Sequence, residues 1–583
     1  MTKNSLTSLA ALIVAPALGL ALPMLLPGSA QACGGTFCDA GPTSMPVDQT
    51  GENILFKIGA DFVEAHIQIQ IDPSTPADAF AWVIPVLSVP EFSVGSQILF
   101  DNMLNGSVPS YGRTFTSDMC APPPDNNNAD EGALSTGGDD FGGETGGDAG
   151  DGDPGGPDVV FKGSVGAFEI AVLEGGTVEG VMQWLGDNGY QQDPNAEPIL
   201  ASYLEDDFKF VALKLGVEAG VEDVHPIVIR YSGTEPCVPI RLTAIAAADD
   251  MDIRTFFLGD ARVVPVNYRH VLINSLKIDW FSDGGNYKEV IAMAVDAQEA
   301  DGNAFVTEYA GDSSVISLNG VYNQNWDPAP YAALVDSPIG AFEQLSADSL
   351  LYCEPDFESN CVGLHPLIMP ILAEYIPVPN GVSEAEFYAD MEFYVDQIDL
   401  TVWDAAAFSA TLDERIFKPG AHAVDLVQQN PYLTRMYTTI SPSEMNVDPI
   451  FRSNATLPEV DNVRQATQRT LCDGGRLVTL PDGREVYFPV DEPFVWPSFQ
   501  DEMPWDEDID QDGMAADAPL INLVDNTEKI NELLSAYNKE RGYGDIPTGC
   551  GCSLAPAGPA GGVAFGLATL GLFGLVRRRR RQS

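Results

Sequence analysis

An α+β fold, built on a mainly antiparallel β-sheet with interspersed helices, is what this chain of 583 residues predicts. Three observations carry that reading. Short runs rich in Ile, Val and Phe alternate polar and apolar residues with the period of two of half-buried strands. Segments with apolar residues at helical spacing fall between them, without the regular rhythm of a parallel βαβ protein. Both ends and one internal stretch differ in composition from the rest and stand outside any packed core.

The first strands lie at 53–58 and 63–71. In the second, Glu64, His66, Gln68 and Gln70 alternate with Ala65, Ile67, Ile69 and Ile71. The break at Gly59-Ala60-Asp61 makes the two a hairpin, and His66 on the polar side reads as an ordinary solvent-facing histidine. A strand over 80–86 follows, stopped by Pro85. From Ala121 to Asp158 the chain is Pro, Asn, Gly and Asp with almost no large apolar residue, which predicts a disordered acidic insert. Order resumes with a strand at 168–173 and a helix at 177–188 carrying Val178, Val181, Met182 and Leu185. A second helix at 198–204 precedes strands at 208–215, 227–231, 240–246 and 263–266. In the C-terminal half, helices are expected at 384–396, 421–428 and 527–537, and a hairpin at 477–488 around Pro481-Asp482-Gly483.

The two ends read as targeting segments. Lys3, an apolar stretch from Leu9 to Leu26, and the Ala30-Gln31-Ala32 cleavage site describe a secretory signal peptide. An N-terminal lipoprotein beginning at Cys33 is the rival, although the usual leucine before the cysteine is missing. At the other end Gly549-Cys550-Gly551-Cys552 precedes an uncharged stretch over 553–576 and five arginines, Arg577, Arg578, Arg579, Arg580 and Arg581. As a helix that stretch is about 36 Å long against a hydrocarbon core of roughly 30 Å. Pro556 and Pro559 shorten the firm part to about 25 Å, a marginal span, and the arginines stop it on the cytoplasmic side. A permanent tail anchor is the simpler alternative.

Lys3 and the five arginines are six of the 29 basic residues, and neither end carries an acid. The exported body therefore keeps 23 bases against 85 acids, a formal charge of −62. Such a surface repels phosphate backbones and anionic headgroups, so nucleic acid is excluded as a partner. Nine cysteines fit an oxidising compartment. Apart from Cys550 and Cys552, the seven are Cys33, Cys38, Cys120, Cys237, Cys353, Cys361 and Cys472, an odd number. The near pairs Cys33/Cys38 and Cys353/Cys361 are the bridges the spacing offers, and no second Cys or His pair lies at zinc-ligand spacing beside Cys33 and Cys38.

Catalytic motifs are missing: the chain has no G-x-S-x-G, no H-E-x-x-H and no Walker loop. Gly150-Asp151-Gly152-Asp153-Pro154-Gly155 spells a dinucleotide fingerprint, but it lies in the acidic insert with no strand before it. The five histidines, His66, His225, His270, His365 and His422, are scattered and read as structural. One metal candidate stands out. Asp508-Ile509-Asp510-Gln511-Asp512-Gly513 matches the first half of a calcium loop, with Asp508, Asp510 and Asp512 as oxygen ligands. Pro519 occupies the closing position where an acid belongs, so an exposed acidic loop is the competing reading. No organic cofactor is called for.

Two resemblances add to this. The order of Gly-Cys motif, apolar segment and arginine cluster over 549–583 closely resembles the MYXO-CTERM sorting signal of myxobacteria and their relatives. The resemblance implies cleavage by a membrane protease near Cys550 or Cys552 and anchoring at the cell surface through a lipid on that cysteine. Cys33-Gly34-Gly35-Thr36-Phe37-Cys38, the stretch from Pro46 to Glu52, and Ala81-Trp82-Val83-Ile84-Pro85-Val86 look like the opening of the exported bacterial family called domain of unknown function 2330. Val165-Gly166-Ala167-Phe168-Glu169, Trp184 to Tyr190, and His225-Pro226-Ile227 are similar to its middle. This second resemblance covers about 33–320 and implies neither catalytic residue, substrate nor cofactor.

The expected organisation is a signal peptide at 1–32, a β-rich part at 33–120, the acidic insert at 121–158, an α+β core at 159–320, a further α+β region at 321–548 and the sorting tail at 549–583. The leading function is a surface-anchored acidic protein of the envelope, non-enzymatic, that binds another envelope or matrix component. The alternative is an exported hydrolase whose site is assembled from separated Asp, Glu and His residues, with His270 or His225 at its centre.

Overall fold

The computed structural model describes residues 35–36, 49–71, 81–119, 156–190, 196–216, 223–245, 247–354, 361–499 and 502–543. It is a mixed α+β structure rich in antiparallel sheet. Ten strands make the main sheet: β1 (Gln49–Ile58), β2 (Phe62–Ile71), β3 (Glu91–Val94), β4 (Ile227–Ser232), β5 (Ala247–Gly259), β6 (Arg269–Ile273), β7 (Ala304–Asp312), β8 (Tyr432–Ile440), β9 (Asp506–Gln511) and β10 (Ile521–Asp525). Their order is β10-β9-β6-β7-β8-β5-β1-β2-β4-β3. Only the β1–β5 and β6–β7 pairs in this sheet are parallel. The expected hairpin is present: Gly59 N–H donates to the Phe62 carbonyl at 2.8 Å and Ile58 faces Val63.

The main sheet is covered on both faces. Ile54, Phe56, Ala65, Ile67 and Ile227 join one core with a second, antiparallel five-stranded sheet that includes 81–86, 209–215, 168–174 and 158–165. Pro85 sits inside its strand, opposite Phe210, one residue before the strand ends. The other face carries Leu55, Phe256 and Leu258. It packs under helix α1 (Gln97–Ser107) and helix α2 (Lys418–Gln429) through Leu99, Phe100, Met103, Ala423, Leu426 and Val427. Full burial of each such side chain contributes roughly 1.5–3 kcal/mol, so α2 is held by its apolar stripe.

Helix α2 continues a helix at Ala405–Leu412 through a π-turn at Asp413–Phe417. Pro419 explains the wide turn, because in a regular helix its ring would strike the carbonyl of residue 415. Gly420 sets how closely α2 approaches its neighbour: a Cβ there would lie 2.3 Å from the Val321 carbonyl oxygen. Residues between 326 and 417 form a helical core of their own. Strands 110–117, 463–470, 476–479 and 485–488 make a four-stranded sheet, and α3 (Thr527–Glu540) packs into the same core through Ile530 and Leu534.

Two expectations of secondary structure change. The run 240–246 begins as a short helix at Ile240–Thr243, because Pro239 precedes it and the buried Asp448 carboxylate accepts the Arg241 N–H at 3.0 Å. The helix expected over 384–396 stops at Ala389, and a separate turn follows at Val395–Gln397. Strand β8, from the C-terminal region, lies between β5 and β7, so residues on both sides of position 320 share one sheet. Among the described residues no helix is long and apolar enough to cross a membrane. Ala30, Ala32, Cys33, Cys38, Cys120, Cys550, Cys552, Arg577 to Arg581, and nearly all of the acidic insert lie outside the described residues.

Buried charge fixes β8 in place. The Arg435 Nε donates to Glu308 on β7, its Nη1 to the Leu104 carbonyl at 2.9 Å and to Ser107 Oγ at 3.3 Å, with both charged side chains almost wholly buried. Replacing Arg435 by Ala strands the Glu308 carboxylate in the core. The expected loss is about 3–5 kcal/mol of unfolding free energy, read from urea denaturation; a loss below about 1 kcal/mol would show that the pair is dispensable.

Candidate functional site

On β2, Glu64 and His66 are two residues apart and therefore share a face. Their neighbours across β4 are Arg230 and Val228, and across β1 they are Lys57 and Leu55. Glu91 on β3 stands opposite Arg230. One rung thus runs Glu91, Arg230, Glu64, Lys57 across four strands, with the sign of charge alternating, the arrangement that cross-strand pairs favour. The Arg230 guanidinium lies 3.9 Å from the centre of the Phe62 ring, on the same strand as Glu64.

At Glu64 and His66 this face is withdrawn from solvent, while Glu91 and Arg230 toward its edge stay exposed. Helix α2 lies over it, and His66 is 1 % exposed, which corrects the expectation of a solvent-facing histidine. The alternating pattern identifies the strand, yet it cannot say that a helix 350 residues later covers the polar side. That helix brings His422. Its Nε2 lies 2.6 Å from Glu64 Oε1, the His66 Nε2 lies 2.9 Å from the same oxygen, and the two imidazole rings stack at 5.7 Å between centres. The His422 side chain keeps 44 % exposure. Solvent reaches the cluster through a recess of about 220 Å³ lined by Glu64, Glu91, Ser93, Arg230 and His422, among others.

The electrostatics follow from this packing. Burial opposes the charge on Glu64, but hydrogen bonds from His422 and His66 outweigh it and hold the carboxyl well below its usual range. Burial dominates at His66 and lowers its pKa, against the opposing hydrogen bond to Glu64. The hydrogen bond to Glu64 raises that of His422. Glu64 is an anion, therefore, flanked by a buried neutral imidazole and an accessible one that gains a proton readily. With Nε2–H directed at Glu64, the neutral His66 carries its lone pair on Nδ1, which is buried without a partner among the described residues.

The remaining histidines have structural surroundings. His225 accepts the Ala167 N–H at Nε2, 3.0 Å, donates from Nδ1 to the Pro226 carbonyl at 3.0 Å, and packs edge-on against Phe168. Gly166 turns there at φ +55°, where a Cβ would lie 2.0 Å from the His225 ring. Burial pushes His225 down to about 4 and His365 to about 4, and His270, against Arg262 and Thr307, to about 3. The hydrolase reading expected His270 or His225; the carboxylate and imidazoles gather instead at His66 and His422.

Other site residues are placed as follows. Asp508 and Asp510 lie on β9, a strand rather than the expected loop, and both accept from Asn522 Nδ2, at 3.3 and 3.0 Å. Asp512 is drawn away to Arg452 and to the Met514 N–H. Cys353 and Cys361 form the expected disulfide across a two-stranded ladder, and Cys237 and Cys472 are disulfide-bonded as well. His422 is the member of the cluster that the sequence does not reveal, since 356 positions separate it from His66 and no local spacing links them.

Fold and site together define an α+β, disulfide-bearing protein with a carboxylate–imidazole cluster between a sheet face and a helix. The bacterial family described as an uncharacterized conserved protein, domain of unknown function 2330, matches residues 27–324, and the chain belongs to it. Neither a curated protein nor a solved structure matches the chain. Glu64 and His66 lie within the matched segment and His422 beyond it.

A second buried carboxylate sits one strand away. Glu52 on β1 is fully buried, its two oxygens have no partner among the described residues, and burial pushes its pKa up to about 8. The folded chain keeps this proton while the unfolded chain releases it near 4.5, so folding binds the extra proton between those values. Stability therefore falls as pH rises through this window, by about 1.4 kcal/mol per pH unit. Glu52→Gln is expected to remove that slope between pH 5 and 8, measured by urea midpoints; an unchanged slope would place the titration elsewhere.

Proposed function

We propose that the protein is exported and held at the cell surface through its C-terminal segment, where its acidic body acts as a non-enzymatic binding or structural component of the envelope. The disulfides of the folded body carry this reading. A bridge between Cys353 and Cys361, with Cys237 and Cys472 also oxidised, suits an extracytoplasmic compartment, as thiols in a reducing cytosol stay free. The signal-peptide pattern at 1–32 and the tail at 549–583, which resembles a MYXO-CTERM signal, supply the route. A sorting protease and the membrane are then the partners of the tail, and an envelope or matrix component is the partner of the body. The formal charge of −62 on the body without its two end segments opposes nucleic acid as a ligand. A second reading, an exported hydrolase, draws on the convergence of Glu64, His66 and His422 beside a solvent-reached recess.

Protease treatment of intact cells tests location directly. Fragments of the 49–543 body should be released while a cytoplasmic marker stays intact; recovery of the full-length protein from the cytoplasm alone would overturn the proposal. Replacing Arg577 to Arg581 by Ser should lower the amount at the surface.

A further inference from the structure

We propose that Glu64, His66 and His422 form a binding site for a single divalent transition-metal ion of the zinc class. Each of the three side chains offers one ligating atom within 4.8 Å of those of the other two. The two imidazole nitrogens already close on one carboxylate oxygen, at 2.9 and 2.6 Å. A tetrahedral ion bonded at about 2.0–2.1 Å holds neighbouring ligand atoms roughly 3.3 Å apart, so each contact needs to open by well under 1 Å. His422, the exposed member on a helix, can supply that movement by rotation.

The donor set selects the metal. Two imidazoles and one carboxylate suit zinc and its neighbours, whereas calcium and magnesium take oxygen ligands throughout. One carboxylate with two neutral imidazoles brings a single negative charge, leaving a bound divalent ion partly uncompensated. Three protein ligands also leave a coordination position free, the pattern of sites that take a water or an exogenous ligand. The recess beside the cluster provides room, with Glu91 and Arg230 on its wall to receive what binds there. A body of strongly negative charge raises the local concentration of cations at its entrance. The buried position of Glu64 has the same logic: a carboxylate there is sustained by the two imidazole N–H groups, or by a metal that takes the place of those Nε2 protons, with His66 then carrying its one proton on the buried Nδ1.

Titration calorimetry with zinc chloride on the chelator-stripped mature protein is the test. One ion per chain should bind, and His422→Ala should weaken binding by more than the roughly tenfold that loss of even an outer-shell partner causes. Asp508→Ala/Asp510→Ala should bind as the wild type does. Cobalt(II) in place of zinc should give the strong visible bands of a four-coordinate ion, lost in His422→Ala. Absence of zinc binding, equal binding by His422→Ala, or loss of the ion only in the β9 double variant would each overturn the site. If His422→Ala shifts the unfolding midpoint, Glu64→Gln, which keeps the shape and removes the charge, carries the comparison. The assay uses purified protein, so its outcome is independent of where the cell holds the chain.

Discussion

Arg435 and Glu308, paired out of water between β8 and β7, are the contact on which the arrangement of the main sheet turns. Glu308 stands where the register of β7 against β8 shifts, between Thr307 and Tyr309. The extra residue of such a bulge re-aims a side chain, here toward Arg435. The same guanidinium takes the Leu104 carbonyl and Ser107 Oγ at the end of α1. One cation thereby holds two strands and a helix end, and the cost of burying it is offset only while every one of those acceptors stays in place.

The site inherits its geometry from this. Helix α2 ends at Gln429 and β8 begins at Tyr432, so placing β8 between β5 and β7 also places α2 across the sheet. From β8 to β2 is three strand spacings, about 14 Å. Seven residues of helix, from 429 back to 422, cover about 10 Å of that distance. His422 reaches Glu64 because a strand from the C-terminal region completes a sheet begun by the family segment. Residues 27–324 alone would leave β5 and β7 without the strand they share.

The parts of this fold that are legible in the sequence are those where one face is wet or a turn is explicit. The β1–β2 hairpin shows its period and its glycine turn, and the 476–488 hairpin its Pro-Asp-Gly. The helix at 178–187 has Thr177 as its cap, accepting the Gly180 N–H. Strand β5 is not legible for the opposite reason. Ile253 and Phe257 face one core and Phe256 and Leu258 another, so no alternation survives, and its polar start at Asp249 and Asp250 resembles a loop. The Cys353–Cys361 bridge is readable from spacing, since eight residues close a short loop. The cluster at Glu64 is half readable: period two places Glu64 and His66 on one face, and nothing local names what covers it.

Two buried carboxylates on adjacent strands show what that cover does. Glu52 and Glu64 both lie in the main sheet with little or no contact with solvent. Glu52 is on the face that meets the five-stranded sheet, beside Ile54 and Phe56, and finds no donor among the described residues, so it keeps its proton. Glu64 is on the face under α2 and meets two imidazole N–H groups, so it gives its proton up. Burial is common to both, and the difference lies in a pair of nitrogens. A strand that only needed to pack would have no reason to hold an anion there. The chain keeps Glu64 charged by crossing the sheet with a helix, and an anion held between two nitrogens at the edge of solvent is chemically suited to a cation.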